Sequence, residues 1–339
     1  MSENLPHPNP PPQGGRENEG IPPPPGAREE RGRLAPSPTG AQHVGNARTF
    51  LITWLAARAQ GARLLLRVED IDSPRVKPGA VGQIFEDLRW LGLDWDEGPV
   101  RQTDRIEHYE RALDQLREAE LVYPCTCTRS DIAAAASAPH AEHEGPAYPG
   151  TCAGRRAADA EALRDVPFAW RFRVTEAPVF VDGFAGEVRI DPRRVGGDFV
   201  VWKSDRTPAY QLAVVVDDAA MGVTEVIRGD DLLPSTPRQL LLYRALGLTP
   251  PRFAHVPLVV GPDGRRLAKR HGDTRLSALR RAGVPAEALV GLLAWSCGWT
   301  DRVEPVAAGD LLPRFRWETI PREPFVLTPE LLRRIGYGG

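Results

Sequence analysis

The sequence has few cysteines and no strong imbalance of charge. Its 339 residues include four cysteines, and the formal net charge is −2 at neutral pH. Four cysteines in a chain of this length do not form a disulfide scaffold, so reduced thiols or a metal site are expected instead. Proteins whose main partner is a nucleic acid are often basic overall. The near-neutral balance gives no support to such a partner, although a local basic face could still bind one.

The sequence also lacks any apolar run long enough to cross a bilayer. A membrane-spanning helix needs about 20 mainly apolar residues, and the N-terminus has no apolar stretch typical of a secretory signal. We therefore expect a cytoplasmic protein with no membrane partner. Hydrophobic residues make up 42% of the chain, which is ordinary for a globular core. A monomer is the default expectation for the oligomeric state.

The first 30 residues lack bulky apolar side chains. They are rich in proline, glycine, asparagine and charge, and they include the run Pro22-Pro23-Pro24-Pro25. Such a composition cannot bury enough apolar surface to offset the entropy lost on ordering. We predict a disordered tail without a catalytic part over residues 1–30, with a proline-rich docking motif as the alternative.

Strands and helices alternate after the tail. A strand at 32–36, a helix at 47–60 and a buried strand at 64–68 together predict a βαβ unit. Helices are expected at 80–95, 105–120, 236–246 (with Ser235 as its N-cap) and 286–297. Strands are expected at 213–216, 223–227 and 255–260. The predicted fold class is α/β, with a doubly wound parallel sheet.

The expected domain organisation follows from changes in this pattern. Residues 31–121 are predicted to form the first half of a catalytic domain, and 201–275 the second half. Between them, 122–200 contain short strands, cysteines and loops, which indicates an inserted α+β subdomain. Residues 276–339 are predicted to form a helical C-terminal extension.

The loop from Pro36 to Asn46 joins the first predicted strand to the first helix. Ligands of doubly wound sheets bind at the carboxyl ends of strands, near helix N-termini. A glycine in this loop would let the backbone approach a nucleotide closely, and His43 could donate a hydrogen bond to a phosphate. The alternative is an ordinary connecting loop with a solvated histidine.

A second loop, from Gly264 to His271, is basic and follows a predicted strand. Clustered cations are suited to a triphosphate whose charge shifts during transfer. The alternative is a solvated basic loop, which is the commoner fate of such runs. Neither loop is specific by itself.

Together, the two loops resemble the signature motifs of class I aminoacyl-tRNA synthetases. The runs Arg33-Leu34-Ala35-Pro36-Ser37-Pro38-Thr39-Gly40 and Arg67-Val68-Glu69-Asp70-Ile71-Asp72 are similar to the glutamyl branch, and the resemblance extends over residues 32 to about 298. It implies the Rossmann-like (HUP) fold of that class. It also implies that ATP, accompanied by Mg²⁺, and glutamate form glutamyl-adenylate and pyrophosphate, after which an RNA group attacks the acyl carbon.

The resemblance further implies which residues form the site. His43 and Lys269 would be catalytic, and ATP would be bound by His43, Gly45, Asn46 and Lys269. Glutamate would be bound by Arg33, Leu34, Ala35, Pro36, Ser37, Glu69, Tyr210 and Arg228. In this assignment Glu69 holds the ammonium, while Arg33, Tyr210 and Arg228 contact the carboxylates. Without the resemblance, Glu69 could be a helix cap, Arg228 a surface ion-pair partner and Tyr210 a core aromatic.

The late loop departs from the family pattern of two lysines around a serine. This chain has Arg266, Leu267, Ala268 and Lys269 instead. Arginine keeps the charge but not the point-like geometry of an ammonium group, and Ala268 removes a hydroxyl. Because Lys269 is retained, we expect activity.

Three of the four cysteines lie within the predicted insertion. Cys125, Cys127 and Cys152 could hold a tetrahedral Zn²⁺ with one further ligand, for which His140, His143 and Tyr148 lie nearby in the sequence. Three reduced structural cysteines are the alternative. The spacing Cys-x-Cys followed by Tyr-x-x-x-Cys is similar to that of glutamyl-queuosine tRNA(Asp) synthetases. That resemblance implies Tyr148 as the fourth ligand of one structural zinc ion.

The length after the last helix also resembles this branch. About 40 residues follow Cys297, too few for the helical anticodon-binding region of ordinary glutamyl-tRNA synthetases. The resemblance implies that glutamate is transferred to the queuosine base of tRNA(Asp). The alternatives are a truncated glutamyl-tRNA synthetase, a glutamate:carrier or amine ligase, and a non-catalytic RNA-binding module, which Ala268 would favour.

Overall fold

A computed structural model describes residues 29–71, 76–135, 147–267 and 273–338 of the chain. Nearly all of the predicted N-terminal tail lies outside these residues. The strands are β1 (Arg31–Leu34), β2 (Arg63–Val68), β3 (Glu97–Arg101), β4 (Val122–Cys125), β5 (Ala169–Phe172), β6 (Phe180–Asp182), β7 (Gly186–Val188), β8 (Phe199–Trp202), β9 (Glu225–Gly229), β10 (Arg252–Val256), β11 (Val259–Val260) and β12 (Phe325–Val326). The helices are α1 (Val44–Ala59), α2 (Ala80–Trp90), α3 (Ile106–Glu118), α4 (Arg129–Ala135), α5 (Tyr210–Ala220), α6 (Ser235–Ala245), α7 (Leu276–Arg281), α8 (Ala286–Ser296) and α9 (Pro329–Arg334).

The centre of the fold is built from parallel strands. β1, β2 and β3 pair in that order, and β9 pairs with β10. β1 also lies beside β9, where the backbone N–H of Thr224 donates to the carbonyl of Arg31 over 2.9 Å. The spatial order is therefore β3-β2-β1-β9-β10. It reverses between β1 and β9, which is where ligands of such sheets bind.

Both faces of this parallel arrangement are covered. Leu64 and Leu66 of β2 pack into one core cluster with α1 and α8, while Leu65 packs into a second cluster with α3, α5 and α6. Successive side chains of a strand point to opposite faces, so a strand buried on both sides has a continuous apolar sequence. The predicted α/β class with a parallel sheet is confirmed.

The strand expected at 213–216 is wrong. These residues lie inside α5, which is a buried helix. A short apolar run has the same appearance in a buried strand and in a buried helix, because periodicity cannot distinguish two elements that are apolar all round. The expected N-cap of α6 is also corrected: Ser235 is the first helical residue and Pro234 is the cap.

The segment between the two halves of the parallel arrangement is largely antiparallel. β5 pairs with β4 and with β8, and β6 and β7 form a separate hairpin. The hairpin contacts β10 of the parallel arrangement. The boundaries of an inserted domain stay a prediction.

The C-terminal residues pack onto the parallel part of the fold. β12 pairs with β11 in parallel, and α9 is capped by Thr328, whose hydroxyl accepts from the backbone N–H of Leu331 over 3.3 Å. Leu332 and Ile335 are buried in the same core cluster as α1 and α8. Among the described helices, none is both long and apolar enough to cross a membrane.

Gly291 provides a test of the packing between α8 and the loop that follows it. A Cβ atom at this position would lie 1.8 Å from the carbonyl oxygen of Glu304, which is backbone and cannot rotate away. We expect Gly291→Ala to lower the free energy of unfolding by about 3 kcal/mol, at the upper end for overpacked cores. Thermal denaturation measures this. Gly309→Ala is the matched control, because nothing lies within 4 Å of a Cβ there; equal melting temperatures for the two variants would contradict the expectation.

Candidate active site

A cavity of about 960 Å³ opens at the carboxyl ends of β1 and β9, where the strand order reverses. Its walls come from the loop after β1, the first turns of α1, the end of β9 and the start of the late basic loop. Its lining includes every described residue that the sequence assigned to ATP or glutamate except Leu34: Arg33, Ala35, Pro36, Ser37, His43, Gly45, Asn46, Glu69, Tyr210 and Arg228. The side chain of Leu34 packs in the core instead.

His43 is the N-cap of α1, so this helix begins three residues earlier than expected. The backbone N–H of Gly45 donates to Nδ1 of His43 over 3.1 Å, and the side chain of Asn46 accepts from the backbone N–H of His43 over 3.1 Å. Burial and the nearby Arg266 guanidinium lower the pKa of His43. The neutral imidazole accepts at Nδ1 and therefore carries its proton on Nε2. That N–H is left as the donor for a ligand.

Gly45 lies directly against this imidazole. A Cβ atom at Gly45 would approach the His43 ring to 3.0 Å. A larger residue at this position would require the ring to shift by a few tenths of an ångström. The glycine predicted for close approach of a nucleotide thus also leaves room for the capping imidazole.

Arg228 is a deeply buried cation of the cavity wall, with 5% of its surface exposed, the same fraction as Arg33. Its Nε donates to Nε2 of His255 over 2.9 Å, and its Nη2 donates to Thr236 and Gln239, each over 2.8 Å. Its Nη1 reaches the hydroxyl of Tyr210 at 3.4 Å. Within the described part of the chain, no carboxylate lies within ion-pair distance of this guanidinium. The alternative of a surface ion pair is therefore wrong for Arg228.

Glu69 forms the acidic side of the same cavity. Its carboxylate accepts from Nη2 of Arg67 over 3.1 Å, and Arg67 also donates to Asp218 over 2.7 Å. Asp218 in turn lies 3.5 Å from Nε of Arg33. Burial raises the pKa of Glu69, and the charges of Arg67 and Arg33 oppose that effect. The two arginines and two carboxylates form one connected buried network.

Sequence analysis missed several of these supporting residues. Arg67, Asp218 and His255 are fully or almost fully buried, and none was named as part of the site. A signal was present: Arg67 interrupts the apolar run of β2, and Asp218 is the second of two aspartates that end the apolar run of α5. Charged side chains within buried elements are rarely tolerated unless they are paired.

The late basic loop reaches the cavity at its third and fourth residues. Arg266 and Leu267 line the wall, and Arg266 forms an ion pair with Asp231, which follows β9. Lys269, together with Ala268, lies outside the described residues. Its assignment to ATP and to catalysis stays a prediction.

A separate cluster of thiols lies in the antiparallel part of the fold. The Sγ atoms of Cys125, Cys127 and Cys152 are all within 4.8 Å of one another, and those of Cys127 and Cys152 are 3.7 Å apart. The hydroxyl of Tyr148 lies 3.4 Å from Sγ of Cys125. His140 and His143, the other candidate ligands, fall outside the described residues.

The spacing of this thiol cluster fits a tetrahedral zinc ion. Zn–S bonds of about 2.3 Å place two sulfur ligands about 3.8 Å apart, and an oxygen ligand at about 2.0 Å lies about 3.5 Å from a sulfur. Burial opposes ionisation of Cys152, but hydrogen bonds from the Thr126 backbone and from Cys127 and Tyr148 outweigh it and lower the pKa of this thiol to about 7. The pKa values of Cys127 and Tyr148 are raised by burial, so the fit to a divalent cation rests on the spacing and chemistry of the three thiols and the phenol oxygen.

Comparison with known proteins places these two sites in context. Residues 30–311 match the family model of the catalytic domain of class I tRNA synthetases for glutamate and glutamine (E and Q). A glutamyl-Q tRNA(Asp) synthetase of Rhodopirellula baltica is 53% identical over 315 residues, which cover 87% of this chain and 95% of that protein. A glutamate–tRNA ligase of Geobacter sulfurreducens is 42% identical over 303 residues, covering 88% of this chain and 64% of that protein.

A solved structure shares the fold. The crystal structure of a glutamate tRNA ligase from Elizabethkingia meningosepticum, in complex with its amino acid, superposes with a TM-score of 0.76 at 28% sequence identity. The match covers 89% of this chain and 68% of that chain.

Proposed function

The chain belongs to the class I tRNA synthetases for glutamate and glutamine, and from that premise we propose that it activates L-glutamate with ATP and transfers it to the queuosine base of tRNA(Asp). Arg228 is the residue that selects glutamate, by binding its side-chain carboxylate. Its guanidinium is buried among neutral hydrogen-bond acceptors, so its charge has no direct carboxylate partner among the described residues. A buried cation of this kind is stabilised by an anionic ligand, and the side-chain carboxylate of glutamate supplies one.

The remaining wall of the cavity complements the other groups of glutamate. Glu69 would hold the ammonium group, and Arg33 would contact a carboxylate. Arg67 holds Glu69 and Asp218 holds Arg33, and Arg67 and Asp218 also bind each other. The α-carboxylate is thereby directed toward the part of the cavity lined by His43 and Gly45.

Activation is a phosphoryl-centre displacement that needs no covalent bond to the protein. A carboxylate oxygen of glutamate attacks the α-phosphorus of ATP, pyrophosphate leaves, and glutamyl-adenylate forms. The neutral His43 would donate its Nε2–H to phosphate oxygens as negative charge builds up, and Lys269 would do the same from the late loop. Mg²⁺ would arrive with ATP. The two carboxylates among the described residues of the lining, Glu69 and Asp231, are already paired with arginines, so we assign the ion no protein ligand.

Transfer completes the reaction. A hydroxyl of the queuosine cyclopentene ring attacks the acyl carbon, its proton is lost, and AMP leaves. The greater identity to the glutamyl-Q tRNA(Asp) synthetase of R. baltica than to the glutamate–tRNA ligase of G. sulfurreducens supports this acceptor. The truncated-synthetase, carrier-ligase and non-catalytic alternatives have no comparable support.

We further propose that Cys125, Cys127, Tyr148 and Cys152 hold one structural zinc ion. The ion would fix the start of the antiparallel segment, because Cys125 ends β4 and the other ligands come from the loops after it. Residues 122–200 would then form a zinc-bearing subdomain inserted into the catalytic domain and facing the RNA.

Acylation of defined tRNAs tests the proposed acceptor. With radiolabelled glutamate and ATP, we expect labelling of tRNA(Asp) that carries queuosine and none of the same tRNA with guanosine at that position. Removal of the 3′ terminal adenosine of the tRNA should leave the labelling unaffected. Charging of the 3′ end of tRNA(Glu), without labelling of queuosine-bearing tRNA(Asp), would contradict the proposal.

A further inference from the structure

A chain of buried polar side chains connects the β6–β7 hairpin to the glutamate site. Asp182 of β6 accepts from Nδ1 of His255 over 2.6 Å, and Nε2 of His255 accepts from Arg228 over 2.9 Å. The side chains of Asp182 and His255 are both fully buried. Neither residue lines the cavity itself. Both act through Arg228 and through Thr236, whose hydroxyl lies 3.1 Å from Nε2 of His255.

The protonation of His255 follows from Arg228 on one side of the ring and Asp182 on the other, and the Thr236 hydroxyl can donate to the same Nε2. An arginine Nε can only donate, so Nε2 of His255 must be an unprotonated acceptor. The Nδ1 position then carries the proton and donates it to Asp182. Burial lowers the pKa of His255, which keeps the imidazole neutral. A protonated imidazole would place a second cation against Arg228.

Both carboxylate oxygens of Asp182 act as hydrogen-bond acceptors. Its Oδ1 accepts from the backbone N–H groups of Phe184, Ala185 and His255 over 2.8–3.0 Å, while Oδ2 faces Nδ1 of His255. Every one of these contacts requires an acceptor. The backbone of the hairpin therefore fixes the carboxylate, and the carboxylate fixes the tautomer of the imidazole.

The hydrogen bonds of Arg228 leave one N–H donor for a ligand. A guanidinium has five N–H donors. One goes to His255, two go from Nη2 to Thr236 and Gln239, and one on Nη1 points to Tyr210. None of the described residues accepts from the last donor, on Nη1, so this donor is available to an anion at the cavity wall.

From these contacts we infer that Asp182 and His255 are positioning residues that hold Arg228 in the geometry for selecting a carboxylate side chain. The inference rests on the proposed glutamate activation. Glutamate recognition then depends on a hairpin that lies 73 residues away from His255 in the sequence. Loss of either residue should weaken glutamate binding and its preference over glutamine, while ATP binding is unaffected.

Asp182→Asn is the sharpest test, because it is nearly isosteric. The new amide can keep its oxygen on the three backbone N–H groups only by turning its NH₂ toward Nδ1 of His255. The imidazole proton must then move to Nε2, where it meets the N–H of Arg228. We expect the KM for glutamate in ATP–pyrophosphate exchange to rise about 10- to 100-fold, the range for an unmade buried hydrogen bond. The KM for ATP should stay within about twofold of wild type.

Two variants of His255 test the same inference independently, in case the Asp182→Asn variant misfolds. In His255→Gln the new amide oxygen can replace Nε2 as acceptor, so the KM for glutamate should stay near the wild-type value. In His255→Leu no acceptor remains, and the KM should rise as in Asp182→Asn. Adding Asp182→Asn to the His255→Gln variant should raise the KM for glutamate much less than Asp182→Asn does alone, because residue 255 then has no imidazole whose tautomer could change.

Imidazole ¹⁵N NMR reports which nitrogen of His255 carries the proton. This would not change if Asp182 only stabilised the fold. The resonance of His255, identified by its loss in His255→Gln, should show a protonated Nδ1 in the wild type and a protonated Nε2 in Asp182→Asn. Glu187→Gln, an exposed change on the same hairpin, is the control and should alter neither the resonance nor the KM. Wild-type exchange with an unchanged glutamate KM in Asp182→Asn or His255→Leu overturns this inference alone. Absence of glutamate-dependent exchange in the wild type overturns the proposed function as well.

Discussion

Arg228→Met is expected to abolish most glutamate-dependent pyrophosphate exchange. The substitution keeps an apolar stem of similar length but removes the buried charge that faces the cavity. Loss of one member of a buried, hydrogen-bonded charge pair costs about 2–5 kcal/mol, which corresponds to a roughly 30-fold to several-thousand-fold fall in kcat/KM for glutamate. The fall should appear mainly as a higher KM for glutamate. Arg228→Lys should recover little of it, because a lysine cannot make the same fork of hydrogen bonds.

The control for Arg228→Met is Arg244→Met. Arg244 lies at the end of α6, pairs with Glu176 on the surface, and has a side chain that is 65% exposed. Exposed ion pairs contribute little to stability, and this one is not part of the cavity lining. Exchange should therefore be unchanged. Full exchange activity in Arg228→Met at low glutamate concentration would rule out the proposed role of Arg228.

Removal of zinc is expected to have the second large effect. Purified protein should contain one zinc ion per chain, and Cys152→Ser should reduce this to a small fraction, since loss of a ligand exceeds the roughly 10- to 100-fold cost of losing even an outer-shell partner. Because the ion is proposed to be structural, acylation of tRNA should fall more steeply than pyrophosphate exchange. Metal analysis together with the two activity assays measures this difference.

Two further variants sharpen the zinc test. Cys297→Ala removes a buried thiol that packs in the main core, so it should lower stability without changing the zinc content. Tyr148→Phe should weaken zinc binding if the phenol oxygen is the fourth ligand. Full zinc content in Cys152→Ser would disprove the proposed ligand set, and full content and affinity in Tyr148→Phe would leave the fourth position to another residue.

The predictions made from local patterns and those that needed distant contacts had different outcomes. The first βαβ unit was correctly expected from residues adjacent in sequence, within three residues at the start of α1. The run 213–216 was wrongly expected to be a strand, because a buried helix and a buried strand are both apolar all round. The local sequence of Arg228 likewise permitted a surface ion pair. Its real surroundings come from β10 and α6, which follow it in the chain.

The sequence by itself determined the family of this protein, since the motifs around His43, Arg33 and Glu69 carry the resemblance without any coordinates. It also named the cysteines that could bind a metal. Only the tertiary structure decided that Arg228 is buried among neutral acceptors, that the three thiols converge, and that Asp182 reaches His255. The physical reason is that hydrogen bonding and burial depend on which distant segments fold together. A residue's own neighbours in the chain do not specify those contacts.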